Sequence, residues 1–172
     1  ELAPEERLRF APGEDGPDFD LARAPRVEGA DWPAERLRKI VRNDSMEYVR
    51  TILPVLAETF GDAEARHLGG VTGTLIGMQH YAETAALLGV TGYGPEDFAE
   101  YLARMGRAQD DRIEWTREDG EVVVRQHTWR LMHGVPSPGA AAFDSWNALW
   151  QGALAVHNRH LLVEVRRRLD QG

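Results

Sequence analysis

At 172 residues, with 42% hydrophobic and 28% charged side chains, the chain fits one globular domain able to bury roughly 70% of its unfolded surface, which excludes fibrous and wholly disordered classes. A formal charge of -8 argues against a nucleic-acid partner, because phosphate binding gathers Lys and Arg on one face. Zero cysteines exclude disulfides, thiolate nucleophiles and cysteine-based metal sites.

Residues 1–30 combine prolines and acids with few large apolar groups, and read as a flexible or surface-hugging arm that Phe10, Phe19 and Leu21 pin to the body. Residues 31–172 read as a single small-molecule-binding domain. No apolar run reaches the roughly 18 residues needed to span a bilayer, and the N-terminus lacks the layout of a secretion signal. The expectation is a cytoplasmic bacterial protein without a membrane partner.

Asp31-Trp32-Pro33 predicts the start of a first helix carrying Leu37, Ile40 and Val41. Asp44 and Glu47 have capping-box spacing and predict a second helical segment, bent near Pro54 and ended by Gly61. The next helix, capped by Asp62 and stopped by Gly89, sets Gly69, Gly73 and Gly77 on one face. Glycines inside a helix cost about 1 kcal/mol each against Ala, so a neighbouring helix, or alternatively a ligand, approaches that face closely. Gly94-Pro95-Glu96-Asp97 opens a short helix.

The Asp119-Gly120 pair between Ile113–Thr116 and Val122–Val124 then predicts a β-hairpin running to about Trp129. After a Gly/Pro-rich turn at 134–139, a long helix is expected from Ala140 to about Leu169. The order points to an α+β, mainly helical fold: helices, then a β-hairpin and a long C-terminal helix.

Six histidines are candidates for chemistry: His67, His80, His127, His133, His157 and His160. On the expected closing helix, His157, His160 and Glu164 share a face, and with His80 they form an alternative transition-metal set. Glu64 and His67 give one Glu-x-x-His motif, but the second that a carboxylate-bridged di-iron site requires is absent. Neither a Gly-x-Ser-x-Gly elbow nor a phosphate-binding glycine loop is present, so no cofactor is expected. Trp115, Trp129, Trp146 and Trp150 lie near His127, His133 and Asn158 in sequence, a composition suited either to a small-molecule pocket or to plain core.

The run Glu118–Arg125, then Trp146-Asn147-Ala148-Leu149-Trp150, then His157–Gly172, resembles the L-2-amino-thiazoline-4-carboxylic acid hydrolase-like family over roughly residues 45–172. Such proteins commonly carry cysteines where this chain has Trp129 and Trp146, and their pattern continues past Gly172, which implies a truncated chain end here. The resemblance implies the family's fold and pocket, with hydrolysis of a cyclic amidine-like C–N bond as the inherited activity and a changed substrate as the consequence of the missing thiols.

The leading reading is a cofactor-independent enzyme of bacterial biosynthetic metabolism, hydrolase-like or cyclase/lyase-like, working by acid-base chemistry in a pocket between the glycine-bearing helix, the hairpin and the long helix. His127 or His157 is the proton carrier, Glu164 orients a histidine and Asn158 donates to developing charge. Trp115, Trp129, Trp146, Trp150, His80 and His133 bind the substrate. The alternatives are a non-catalytic small-molecule-binding protein, a His/Glu metal-dependent enzyme, and a helical domain that forms a homodimer through its glycine face.

Overall fold

The computed structural model describes residues 33–135 and 137–168. The proposed arm at 1–30, Asp31 and Trp32, and the closing residues Leu169–Gly172 lie outside the described residues. The chain divides into two units, residues 1–38 and 39–172. Of the first, only the opening turn of α1 is described, where the Leu37 amide donates to the Pro33 carbonyl at 3.1 Å. The expected α+β, mainly helical fold is present.

Helix α1 is Ala34–Phe60 and is one element rather than two. The expected break at Asp44 does not occur: Ser45 is taken into the helix, its hydroxyl donating to the Val41 carbonyl at 2.8 Å. Pro54 lies inside the helix and has no N–H to return to the carbonyl four residues back.

Helix α2, Asp62–Leu87, begins after Gly61, whose φ of 91° suits glycine alone; Gly61 therefore holds the N-cap position expected for Asp62. Its buried residues recur every four: Ala65, Gly69, Gly73, Gly77, Tyr81 and Ala85. That row packs on α4, Ala140–His157, with backbone against backbone. A Cβ on Gly73 would overlap the Ser145 carbonyl, one on Gly77 the Leu149 carbonyl, and one on Gly152 of α4 the Thr74 carbonyl. The Ser145 hydroxyl donates to the Gly69 carbonyl at 2.8 Å across the same seam. The close neighbour that three glycines demand is thus α4, and neither a ligand nor a second copy can occupy that face.

Helix α3, Pro95–Gln109, starts with Pro95 after Gly94, whose amide donates to the Asp97 carboxylate at 2.9 Å. Its Phe98, Tyr101 and Leu102 join Tyr81, Ala85, Ala153 and Leu154 in the larger of two core clusters. Asp110 ends the helix in the left-handed region at φ 68°.

Strands β1 (Ile113–Glu118) and β2 (Glu121–Gln126) pair antiparallel from Ile113 opposite Gln126 to Glu118 opposite Glu121. Asp119 at φ 50° and Gly120 at φ 86° make the two-residue turn that their sequence predicted. The strand stops at Gln126, short of Trp129, and a 3-10 turn, Arg130–Met132, follows.

The closing helix ends at His157, twelve residues before the expected Leu169. Asn158 adopts an extended backbone, its amide group donates to the Tyr93 carbonyl at 2.9 Å, and its side-chain oxygen accepts from the His160 amide at 3.0 Å. These bonds compete with the helical ladder and win. Residues 158–168 run on without helix, and Arg168 comes over the Phe143 ring at 3.9 Å while Arg166 pairs with Glu121 at 2.6 Å.

Candidate functional site

The early end of α4 dissolves the expected catalytic face. His157, His160 and Glu164 do not share a helix surface, because residues 158–168 are not helical; His160 and Glu164 are exposed. His157 is buried at 3% exposure and both ring nitrogens are engaged. Nε2 lies 2.8 Å from the Gly94 carbonyl, which can only accept, so Nε2 carries a proton. Nδ1 lies 2.5 Å from the Tyr81 hydroxyl. Burial raises the Tyr81 pKa, with Asp97 and then Tyr93 adding to it, so the phenol keeps its proton beside Nδ1. Asn158 is occupied as the helix cap described above.

The other expected site residues are dispersed. His80 and His67 are exposed on α2. His127 is half-buried with Nε2 3.4 Å from the Glu114 carboxylate, out of hydrogen-bond geometry. Among the described residues no group of three or more His, Asp or Glu is placed to hold a metal.

Three of the four tryptophans expected to bind substrate pack as an aromatic row. Trp129 meets Phe143 at 5.9 Å and Trp146 at 6.2 Å between ring centroids; Trp146 meets Trp150 at 5.7 Å, and Trp150 meets Tyr101 at 6.3 Å. Trp129, at 6% exposure, belongs to the second core cluster with Met46 and Leu131. The row joins that cluster to the Tyr81/Phe98 cluster, where burial pushes the Tyr101 phenol up to about 12. Trp115 stands apart on β1, where its indole donates to Glu100 at 3.1 Å. That bond and, more strongly, the one from Arg104 hold the Glu100 carboxyl below its ordinary range.

A concave surface lies elsewhere. A cleft of about 380 Å³ is lined on α1 by Lys39, Arg42, Asn43, Met46, Glu47 and Arg50, from the end of α3 by Asp110, and from beyond the hairpin by Arg130 and His133. Lys39, Arg42, Asn43, Met46 and Arg50 recur at helical spacing and so turn one stripe to the cleft. Arg130 is brought opposite by Asp111, whose buried carboxylate accepts from the Arg130 amide at 3.1 Å and from the Thr128 hydroxyl at 3.2 Å. Burial raises the Asp111 pKa, and those two donors together with the Arg130 charge oppose the rise.

The guanidinium groups are held in place. Arg130 donates to the Asn43 side-chain oxygen at 2.7 Å and lies 3.8 Å from Asp110, which also faces Arg42 at 3.6 Å. Arg50 pairs with Glu47 and donates to the His133 carbonyl. The Arg42 Nε–H is buried and has no hydrogen-bond partner. Four cations against two carboxylates leave this cleft positive in a chain whose formal charge is -8. Sequence reasoning passed over it because Asp110, Arg130 and His133 are brought to the α1 stripe only by the fold.

No family model, curated protein or solved structure matches this chain.

Proposed function

We propose that this chain is a small-molecule-binding domain whose ligand is a compact anion, a carboxylate or a phosphate, taken up in the cleft between α1 and the segment after the hairpin. The observation that carries the reading is the convergence of Lys39, Arg42, Arg50 and Arg130 on one cleft of an otherwise acidic chain. Guanidinium forks match the planar, bidentate geometry of both anions, and Arg side chains already fixed by neighbours lose little freedom on binding. The three arginine side chains are 17 to 23% exposed, so their charges are less screened than those of free surface residues.

A non-catalytic binder fits better than the acid-base enzyme of the hydrolase-like resemblance, because His157 has both ring nitrogens engaged in the core. The enzyme reading keeps one support: His133 lines the same cleft.

Isothermal titration with citrate and with inorganic phosphate tests the proposal. Saturable binding is expected, weakening as salt is raised and falling about tenfold or more in Arg130→Gln, which loses a charge-assisted bond. Lys39→Gln, on an exposed position, checks the same point without disturbing the fold. Absence of binding by both anions, or binding unchanged in both variants, contradicts it.

A further inference from the structure

The charges of the basic cleft are not spread evenly along it. Arg50 is engaged at one end, where it pairs with Glu47 and donates to the His133 carbonyl, so that end is neutral. Lys39 and Arg42 are neighbours on one helix face at the other end, and Lys39 lies about 16 Å along the axis from Arg50. Arg130 joins them there. Both arginines face one oxygen of Asp110, at 3.6 and 3.8 Å, beyond hydrogen-bond length. Arg130 gives one Nη to Asn43 at 2.7 Å, whereas among the described residues neither Arg42 nor Lys39 donates a side-chain hydrogen bond. Three cations against one carboxylate leave this end with two positive charges in excess and with donors unused.

We infer that this end of the cleft selects a dianionic phosphoryl group, as free phosphate or the head of a phosphate monoester, over a lone carboxylate or a phosphodiester. The inference rests on the anion-binding reading above and narrows it. Charge decides first: a carboxylate or a diester brings one negative charge and leaves one cation uncompensated, whereas a phosphate monoester carries close to two at neutral pH. Oxygen count agrees. A carboxylate has two oxygens, which a single guanidinium fork occupies, while the head of a monoester offers three, one for each cation. Lys39 and Arg42 come from α1 and Arg130 from the segment after the hairpin, and cations on two sides fit a tetrahedral group better than a flat one. The volume of about 380 Å³ is that of a small-molecule site, so space remains over the buried Met46 for the alcohol part of an ester.

Isothermal titration at pH 8, above the second ionisation of a phosphate ester near 6, tests the selection at fixed ionic strength. The probes are inorganic phosphate, methyl phosphate, dimethyl phosphate and acetate. The first two should bind about tenfold or more tighter than the others, the effect of one further charge-assisted bond. Tighter methyl phosphate names an ester as the ligand and tighter inorganic phosphate the free ion; both support the dianion.

Two variants move the preference in opposite directions. Lys39→Gln, at an exposed position, removes one of the two excess charges and should reduce the preference severalfold. Asp110→Asn removes the opposing carboxylate and should strengthen methyl phosphate severalfold. Asn tolerates the left-handed backbone at φ 68°, so the end of α3 is kept, and a gain in binding is not what a damaged fold produces. Acetate and dimethyl phosphate binding as tightly as methyl phosphate would overturn the selection while leaving an anion site in place. A preference unchanged in both variants would overturn it as well. No binding by any of the four anions would remove the anion-binding reading itself, and the inference with it.

Discussion

The Tyr81 hydroxyl and the His157 imidazole, 76 residues apart in sequence, are hydrogen-bonded in the core at 2.5 Å. Through the second ring nitrogen the bond extends to the Gly94 carbonyl at the start of α3, so one histidine fastens α2, α3 and α4. Tyr81→Phe leaves Nδ1 buried without its partner and should cost about 1–3 kcal/mol. His157→Ala also opens a cavity beside Phe98 and should cost about 3 kcal/mol or more. Urea unfolding measures both; a loss below about 0.5 kcal/mol in either would mean the pair does not fasten the helices.

Gly77 and Gly70 should respond to alanine in opposite directions. A methyl on Gly77 meets the Leu149 carbonyl backbone, which cannot yield without parting α2 from α4, whereas nothing lies within 4 Å of one on Gly70. Gly77→Ala should lose about 3 kcal/mol or more, and Gly70→Ala should gain up to about 1 kcal/mol from helix propensity. Thermal unfolding of the two variants decides it, and equal shifts would contradict the close crossing.

Glu118 on the hairpin is held by Arg125 at 2.9 Å and by the Thr116 hydroxyl at 2.6 Å, and these donors, Arg125 first, bring its carboxyl down to about 2. A depressed folded value means that this group's contribution is present above the unfolded value of about 4.3 and is lost as pH falls toward 2. Carboxyl-detected NMR titration should find Glu118 titrating near 2, and Arg125→Ala should return it toward about 4.3. An unchanged midpoint in that variant contradicts the pairing.

Helix periodicity, the glycine row and the Asp119-Gly120 turn were legible because each is a local rule: apolar residues at 3.6 spacing, small residues where backbones touch, positive φ where the chain reverses. The end of α4 was not. Leu161, Leu162 and Val165 continue the amphipathic pattern, but Asn158 is bound to the carbonyl of Tyr93, a partner 65 residues away. His157 could not be told from a catalytic histidine because Tyr81 and Gly94, which engage both ring nitrogens, come from other elements. Of the basic cleft, the α1 stripe from Lys39 to Arg50 was readable at helical spacing, whereas Arg130 reaches it only through the hairpin and the buried Asp111.

The most direct test of the account is an amide-detected NMR titration of the labelled protein with inorganic phosphate and with citrate. The account predicts saturable shifts confined to the cleft, at residues 39–50, Asp110 and 130–133, and their loss in Arg130→Gln. Shifts centred on His127 and Trp115 instead, or none that saturate, would contradict the cleft as the binding site.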